Sequence, residues 1–437
     1  MILNNLILLV RADPIICGHS TEARNLAEAA HELGFDNIHI VSYPINTLEQ
    51  SDLPLKHPET VSPYSPGIHI DRPEPLGDYK VLDGRLSLGI SGHLADLLHR
   101  LPGRTMLMDL YLVPHGIMAM QAVHSFRHTH RTPGVFTVGE AVGSDITNVV
   151  SNAVAQGRLG AAQLVLSNYL DHDLPVAVSR YTRDLIVEAG TNVDDALGTR
   201  FAEQLQNRVG ISYPAIDTQA YLDIESHTET NAATLRSRDL KPDGYVMFLS
   251  RLAFAKGVDD LVHAWRASKI RDHKKLIICG NGPAKQTLLE LTADLPEVRI
   301  LDDVSDAEKS TLMHHSHAWC LPSKPSPEFT ETFGIAVAEK MLAGGPGPVI
   351  TTRTGGIPEA SGGHCLEHPA GDIDALRHRL DQLATLSGSD RHTLSQSARR
   401  FAQSFDSKTI LNKLLEHAAP PAKLTAALST AAFMGLL

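Results

Sequence analysis

Short apolar segments alternate with amphipathic helical segments along most of this 437-residue chain, and this alternation constrains the fold most strongly. The first series predicts a helix at 20–34 and strands at 6–10, 37–42, 105–113, 134–138 and 175–178. The second series predicts helices at 258–267, 285–294 and 306–314, and strands at 245–250, 275–279, 298–301, 318–321 and 348–351. Alternating strands and helices form parallel sheets covered by helices on both faces. The sequence therefore predicts an α/β protein with two doubly wound, Rossmann-like domains.

Chain length and one polar stretch set the expected domain limits. A chain of 437 residues exceeds one ordinary hydrophobic core. Residues 226–243 are polar and weakly patterned, which predicts an N-terminal domain at 1–215, a linker at 216–240 and a C-terminal domain at 241–417. Residues 53–80 are rich in proline and polar side chains, and we expect them to run over the surface.

Composition excludes several classes of function. The net charge of −11 argues against nucleic acid as a partner, because nucleic-acid binding needs a basic surface. No stretch reaches the roughly 20 apolar residues that span a bilayer, and the apolar N-terminus lacks the basic residues of a signal peptide. The four cysteines form no C-x-x-C pair, which favours free thiols in a reducing cytoplasm.

Two glutamates flank the start of an apolar helix in the second series. Glu331 precedes Gly334, where the helical pattern begins, and Glu339 lies within the pattern. Acids at a helix N-terminus commonly do no more than complement the helix dipole. The first amides of a helix are also free to bind phosphate. An acid on each side of such a turn suits a ligand with hydroxyl groups on both sides of a diphosphate.

Two other segments offer groups for phosphate binding. Arg251 and Lys256 follow a predicted strand. One interpretation is that both are solvated at a turn. The other is that they bind a diphosphate, for which the planar guanidinium of arginine and the compact ammonium of lysine are suited. Gly18 precedes the first helix, although a turn requires glycine in any case.

The run from Pro322 to Gly334, followed by Gly355-Gly-Ile-Pro-Glu359, resembles the signature of retaining glycosyltransferases of the GT-B fold. The resemblance is to family 4 in particular (glycosyl transferases group 1), which carries Glu-(x)7-Glu and then Gly-Gly-x-x-Glu. The segment around Arg251 is similar to the family's Gly-Arg-(x)4-Lys-Gly, with serine in place of the first glycine. The loop before Gly18 is similar to its N-terminal glycine loop, with cysteine in place of the first glycine.

One segment departs from the family pattern. Thr137-Val-Gly-Glu-Ala-Val-Gly143-Ser-Asp145 is similar to the family's Thr-Val-His-Gly-Ser-Asp, but Val142 stands where the family has a histidine that contacts the donor sugar. Glu140 and His115 are the two candidates to fill that space, and the sequence leaves the choice open.

The resemblance implies two Rossmann-like domains facing a central cleft, with a last helix at about 418–437 that packs back on the N-terminal domain. A weak interfacial membrane anchor is the alternative for that tail, which carries one lysine.

The resemblance also implies the roles of the site residues. Glu339 would bind the ribose hydroxyls, Glu331 the hydroxyls of the donor sugar, and Val304 would lie near the base. The residues implied for the diphosphate are Gly18, Arg251, Lys256 and the amides of Ile335 and Ala336. Because the diphosphate departs in the reaction, Arg251, Lys256 and Glu331 are the expected catalytic residues.

The expected function is therefore a retaining, metal-independent hexosyltransferase that uses a UDP- or GDP-sugar and needs no other cofactor. The expected acceptor is a small polar molecule, in secondary-metabolite, thiol or disaccharide biosynthesis. Alternatives are a nucleotide-sugar 2-epimerase, a sugar phosphorylase and a non-catalytic nucleotide-sugar binding protein. No nucleic-acid or membrane partner is expected, and homo-oligomerisation is left open.

Three histidine- or aspartate-rich segments are interpreted as non-functional. Asp171-His-Asp173 has the D-x-D pattern of another glycosyltransferase fold but precedes its strand, so it is predicted to be a solvated loop. His314-His315-x-His317 has no further ligand at zinc spacing. The group His124, His128 and His130 is predicted to be solvated.

Overall fold

The computed structural model describes residues 3–11, 13, 18–51, 63–77, 84–129, 134–326 and 329–418. These residues form two compact units. The first contains the described residues of Met1–Val178, Thr182–Ala215 and Ser407–Leu437, and the second contains Ser179–Tyr181 and Ile216–Asp406. Each unit is built on one parallel sheet, which confirms the predicted α/β class with two doubly wound sheets.

The first unit holds a seven-stranded parallel sheet in the order β3-β2-β1-β4-β5-β6-β7. Its strands are β1 Asn5–Leu9, β2 Asn37–Val41, β3 Ile68–Asp71, β4 Thr105–Asp109, β5 Val135–Ala141, β6 Leu174–Ala177 and β7 Gly210–Ile211. Its helices are α1 Gly18–Glu32, α2 Ile45–Glu49, α3 Gly84–Arg100, α4 Ile117–Thr129, α5 Asn152–Ala155, α6 Leu159–Leu170, α7 Arg180–Leu197 (whose first two residues belong to the second unit) and α8 Phe201–Arg208. Two π-helical turns occupy Leu112–Gly116 and Ile146–Ser151.

Both faces of this sheet are covered, as continuous apolar strands require. In β1, Leu6 and Leu8 pack into one cluster with Leu26 of α1. The intervening Ile7 and Leu9 pack into another cluster on the opposite side, with the helices α3 and α4. Successive side chains of a strand point to opposite faces of the sheet, so this all-apolar run indicates a strand that is buried on both faces.

The last described helix, α18 Ser407–Ala418, belongs to the first unit. Ile410, Leu411 and Leu414 join the cluster that contains Leu26, and Lys408 pairs with Glu32 of α1. The tail helix expected at about 418–437 lies, after Ala418, outside the described residues. The chain therefore returns to the first unit through a helix that begins earlier than the tail.

The second unit holds a six-stranded parallel sheet in the order β10-β9-β8-β11-β12-β13. Its strands are β8 Tyr245–Leu249, β9 Lys275–Cys279, β10 Val298–Leu301, β11 Ala318–Leu321, β12 Val349–Thr352 and β13 Leu366–His368. Its helices are α9 Gln219–Leu222, α10 Thr228–Ser237, α11 Val258–Ala267, α12 Lys285–Leu291, α13 Asp306–His315, α14 Ile335–Ala343, α15 Ile357–Ser361, α16 Ile373–Thr385 and α17 Gly388–Ala402. Short 3₁₀ turns occupy Asp223–Ser226, Phe254–Lys256, Ile270–Asp272 and Gln403–Phe405.

Two segments differ from the sequence-based expectation. Within 53–80, residues Ile68–Asp71 form the edge strand β3 parallel to β2, and this strand was not among those predicted. Within the expected linker 216–240, the structure has α9 and α10, and both lie in the second unit. In the part of the chain that the structure describes, no helix combines the length and apolar character that crossing a membrane demands.

Candidate donor-binding site

The candidate site lies at the carboxyl edge of the second sheet, where β8 and β11 are neighbours. The strands β9 and β10 follow β8 towards one side of the sheet, and β12 and β13 follow β11 towards the other side. In open parallel sheets, ligands bind outside the carboxyl ends of the strands at such a switch point. The loops after β8, β11 and β12 carry most of the residues that the sequence singled out.

Lys256 and Glu331 meet at this edge. The Lys256 Nζ donates to Glu331 Oε2 at 2.5 Å, and the two side chains are 13% and 14% exposed. The ammonium also lies 4.3 Å from the centre of the Phe329 ring. Arg251, at the end of β8, is exposed. The structure thus brings together two predicted site residues that are 75 positions apart in sequence.

Two glycines explain how these loops approach one another. Gly257 follows Lys256 with φ +69°, and a Cβ there would come within 1.9 Å of the Pro322 carbonyl oxygen. Gly355 has φ +56°, and its Cβ would meet the Glu331 carbonyl oxygen at 2.0 Å. Both positions combine a left-handed backbone with a close backbone approach, so any side chain would displace the loop that carries Glu331.

The helix α14 begins beside this pair, with Gly334 as its N-cap residue. The Gly334 carbonyl accepts hydrogen bonds from the amides of Val337 at 2.9 Å and Ala338 at 3.3 Å. The amides of Ile335 and Ala336 precede them in the first turn, where a helix offers its own amides no carbonyl partner. Both residues are half-buried. This turn therefore presents donors and the positive end of a dipole next to Lys256.

Glu339 lies one turn further along α14 and has a lysine partner that the sequence analysis missed. The Lys309 Nζ on α13 donates to Glu339 Oε1 at 2.6 Å, and the Glu339 side chain is 8% exposed. Tyr221 of α9 hydrogen-bonds to the same carboxylate. Burial, together with the Glu339 charge, raises the Tyr221 pKa well above its ordinary value, so the hydroxyl stays protonated. Neither partner has a local sequence signal, since each comes from a distant helix.

Val304 lies half-buried in the loop between β10 and α13. A capping box fixes the residues that follow it: the Glu308 amide donates to Ser305 Oγ, and the Ser305 amide donates to Glu308 Oε2. Arg238 pairs with Asp303 at 2.8 Å and with Glu308 at 2.7 Å. The loop that contains Val304 is thereby held on both sides.

Glu359 of the Gly-Gly-x-x-Glu segment binds backbone amides. Its carboxylate accepts hydrogen bonds from the amides of Arg180 at 3.0 Å and Tyr181 at 3.2 Å. Next to them, Ser179 Oγ donates to the Thr332 carbonyl at 2.6 Å. These residues all belong to the second unit, where they support the loop that carries Glu331.

In the first unit, Gly18 is the first residue of α1 and is half-buried. Val142, where the family has histidine, is 2% exposed, and its amide donates to Asp145. Both carboxylate oxygens of Glu140 and both ring nitrogens of His115 are buried, with no hydrogen-bond partner among the residues that the structure describes. Which of the two fills the histidine's space is left open.

Burial governs the titration of these groups. Desolvation, with the charges of Glu22, Asp145 and Asp109, raises the Glu140 pKa well above its ordinary value. Desolvation raises the pKa of Glu22 to about 7, while its bond to the Ala215 amide opposes the shift. Desolvation lowers the pKa of His115 to about 3. At neutral pH, Glu140 is therefore protonated and His115 is a neutral imidazole, whereas Glu22 is partly ionised.

The Asp171–Asp173 segment is less exposed than predicted. His172 is fully buried, and its Nε2 lies 2.7 Å from Asp109 Oδ2, so the prediction of a solvated loop is wrong for this residue. Asp173 accepts hydrogen bonds from the amide and hydroxyl of Thr137. His124 and His128 are exposed, as predicted, and His130 lies outside the described residues.

The other histidine-rich segment makes structural contacts. His314 Nδ1 lies 2.6 Å from the Ala343 carbonyl, and His317 Nδ1 lies 2.9 Å from Asp243 Oδ1. Across the residues described, no group of three or more His, Cys, Asp or Glu side chains is arranged to hold a metal ion.

Comparison with known proteins agrees with this architecture. Residues 234–401 match the family model of glycosyl transferases group 1. An uncharacterized glycosyltransferase of Methanocaldococcus jannaschii is 28% identical over 158 residues, which are 35% of this chain and 38% of the relative. The match thus spans about two fifths of that relative's length.

Solved structures match over nearly the whole chain. HepE of Anabaena, in complex with UDP and glucose, has a TM-score of 0.64 at 17% identity, covering 94% of this chain and 98% of its own. Sucrose-phosphate synthase of Thermosynechococcus elongatus has a TM-score of 0.63 at 16% identity, covering 97% and 100%. The chain therefore has the GT-B fold, and its similarity to the glycosyl transferases group 1 family covers residues 234–401.

Proposed function

We propose that this protein is a retaining glycosyltransferase that moves a hexosyl group from a nucleoside-diphosphate sugar to a small polar acceptor, without a metal ion. The observation that carries the proposal is the Lys256–Glu331 pair beside the N-terminus of α14, at the switch point of the second sheet. The pair lies within the segment that matches the group 1 family.

Each part of the donor has a group of matching chemistry. Arg251, Lys256 and the first amides of α14 supply positive charge and donors for the diphosphate. Glu331 accepts hydrogen bonds from the sugar hydroxyls, and Glu339 from the ribose hydroxyls. Val304 contacts the base. For Gly18, the proposed role is the one that the resemblance implies, donation of its amide to the distal phosphate.

In the proposed reaction, the bond between the anomeric carbon and the phosphate oxygen breaks, and the acceptor oxygen bonds to that carbon on the same face. The acceptor proton passes to the departing phosphate. Arg251 and Lys256 stabilise the charge that develops on the diphosphate, which replaces the second carboxylate that a glycosidase would need. The charge that Lys256 contributes is positioned in advance by Glu331 and Phe329.

The donor is proposed to be a UDP- or GDP-sugar, and the complexes of HepE with UDP and with UDP-glucose support the former. The acceptor belongs to secondary-metabolite, thiol or disaccharide biosynthesis. A cytoplasmic location is proposed because the described cysteines, Cys279, Cys320 and Cys365, are free thiols.

Two alanine substitutions test the division of roles. Glu339→Ala is expected to weaken binding of UDP or GDP, whereas Glu331→Ala spares that binding and abolishes transfer. Binding is measured by calorimetry, and turnover by release of nucleoside diphosphate with and without acceptor. Equal, small effects from both substitutions would contradict the assigned roles.

The same assay separates the alternative functions. Wild-type protein should release nucleoside diphosphate slowly from the donor alone and faster with acceptor. Donor that stays intact under all conditions would indicate a non-catalytic binder. Donor conversion without net release of nucleoside diphosphate would indicate an epimerase.

A further inference from the structure

The second glutamate of the site is held by a network that the Glu-(x)7-Glu pattern does not contain. Glu339 bonds to Lys309 of α13 at 2.6 Å and to Tyr221 of α9. The same Lys309 ammonium lies 5.9 Å from the centre of the Tyr221 ring. All three side chains are largely buried, with Tyr221 at 8% and the Lys309 side chain at 21% exposure. One anion, one cation and one neutral donor therefore share a nearly dry corner.

The two helices that carry the ion pair are fastened to each other. Lys340 is buried within α14, and its Nζ donates to the carbonyls of Met313 on α13 at 2.8 Å and of Gly344 at 2.7 Å. His314 of α13 bonds to the Ala343 carbonyl at the end of α14. The bonds of Lys340 to Met313 and of His314 to Ala343 join the C-terminal parts of the two helices. They fix the distance across which Lys309 reaches Glu339.

The N-terminal end of α13 is fixed separately. Arg238 binds Asp303 and Glu308 together, and the capping box of Ser305 orders the first turn. Lys309 follows Glu308 directly, so its position on α13 is determined from both ends of the helix. An exposed lysine with free rotamers would lose more entropy on forming such a pair.

The number of acceptor positions on Glu339 suits a diol. An ionised carboxylate has about four lone-pair directions. Lys309 and Tyr221 occupy two of them. About two remain, which is the number that a pair of neighbouring hydroxyl groups requires.

We propose that Lys309 and Tyr221 are positioning residues that orient the Glu339 carboxylate to accept hydrogen bonds from both ribose hydroxyls, and that they thereby set a preference for ribonucleoside over 2′-deoxyribonucleoside diphosphates. The inference rests on the proposed function, because it assumes that Glu339 faces the nucleotide. Lys309 and Tyr221 act through Glu339 and are not assigned any contact with the reacting atoms.

The test compares binding of UDP, GDP and ADP with that of their 2′-deoxy counterparts by calorimetry on the full chain. A hydrogen bond to a charged group discriminates by roughly ten-fold or more, so wild-type protein should prefer the ribonucleotide by about that factor. Lys309→Met should weaken ribonucleotide binding by about ten-fold and deoxynucleotide binding by clearly less, because the deoxynucleotide keeps only the 3′-hydroxyl contact with Glu339. Lys309→Arg should restore most of the preference, and Tyr221→Phe should reduce it by about three-fold.

A matched control uses another paired lysine of the same unit. Lys275 bonds to Asp239 at 3.0 Å, but it is the first residue of β9. It therefore lies at the amino ends of the strands, whereas the candidate site lies at their carboxyl ends. Lys275→Met should leave both affinities and their ratio unchanged. Thermal unfolding of every variant checks that the fold is intact, and Tyr221→Phe serves if Lys309→Met fails to fold.

The outcomes separate this inference from the proposed function. If wild-type protein binds nucleoside diphosphates but shows no preference, or if Lys309→Met weakens both series equally, the positioning role is overturned and nucleotide binding stands. If wild-type protein binds none of the six compounds, the proposed function itself fails, and the positioning role fails with it.

Discussion

The two units treat their buried acids in opposite ways. In the second unit, Glu331 and Glu339 each have a lysine within hydrogen-bond distance. In the first unit, Glu140 lies fully buried, and it faces other acids rather than a lysine or arginine. Asp145 is stabilised there by three backbone amides instead of a cation.

This contrast predicts different chemistry at the two sheet edges. A carboxylate beside an ammonium stays ionised and can only accept hydrogen bonds. A carboxyl group whose burial raises its pKa stays protonated and can also donate. The second unit is therefore suited to holding an anionic ligand that also carries hydroxyl groups. Around Glu140 and His115, the first unit offers neutral groups, which suit uncharged polar ligands.

The strongest test concerns a fully buried acid of the first unit that has a histidine partner. Asp109 and His172 are both fully buried and lie 2.7 Å apart. Asp109→Asn should lower the free energy of unfolding by about 3–5 kcal/mol, the usual cost of breaking a buried pair. Urea unfolding measures the change. Asp171→Asn, at an exposed neighbouring position, should change stability by less than about 0.5 kcal/mol.

The pH dependence of the Asp109 variant gives a second check. Burial lowers the His172 pKa, but Asp109 outweighs it, and the net shift is upward from 6.5. The pair's contribution to stability is therefore fully present below pH 6.5 and is lost as the pH rises through the folded-state pKa. A stability difference between wild type and Asp109→Asn that grows with pH above 6.5 would contradict this assignment.

In the second unit, removing a lysine should affect catalysis before stability. Lys256→Met removes the cation that we propose lies next to the departing diphosphate, and it is expected to reduce kcat by about 100- to 1000-fold. Steady-state release of nucleoside diphosphate from the donor, in the presence of acceptor, measures the effect. A loss confined to KM would show that Lys256 binds donor and transition state equally well.

The unpaired acid of the first unit should respond to pH in a characteristic direction. The folded-state pKa of Glu140 is raised, so the folded chain holds a proton that the unfolded chain releases near pH 4.5. Stability should therefore fall as the pH rises above that value, by at most about 1.4 kcal/mol per pH unit. Glu140→Gln removes this pH dependence. The free energy of unfolding of the variant, measured by urea unfolding, should therefore rise relative to that of wild type between pH 5 and pH 8. A constant difference across that range would mean that Glu140 is ionised in the folded state.

Much of the fold could be predicted because the central strands are short apolar runs with clear ends. The predicted strand at 298–301 coincides with β10, and the one at 318–321 with β11. The edge strand β3 was not predicted, because Ile68 and Ile70 alternate with polar residues inside a proline-rich region. A strand at a sheet edge buries little, so its apolar signal is weak.

The site could be predicted only where function imposes spacing along the chain. Glu331 and Glu339 have fixed separation on one loop and helix, and their order can be recognised. Lys309 and Tyr221 reach Glu339 from other helices, and no local pattern specifies that contact. His172 looked solvated because its neighbours are aspartates, whereas its partner Asp109 lies 63 positions away. In both cases, the contact is made by residues distant in sequence, so the local sequence does not predict it.

The smallest effect is expected at a lysine that resembles Lys256 but serves only the fold. Lys324 bonds to Asp259 at 2.9 Å and to Asp260 at 2.7 Å, at the N-terminus of α11. Its amide also bonds to the Ala255 carbonyl, so it lies in the same loop cluster as Lys256. Lys324→Met should lower the free energy of unfolding by about 1 kcal/mol, because the aspartates still interact favourably with the helix dipole. Turnover should stay within about two-fold of wild type, since the fold-change expected of a catalytic cation is far larger. If Lys324→Met reduced kcat as strongly as Lys256→Met, the catalytic effect would belong to the loop cluster as a whole, and the pairing of Glu331 with Lys256 would have no catalytic role of its own.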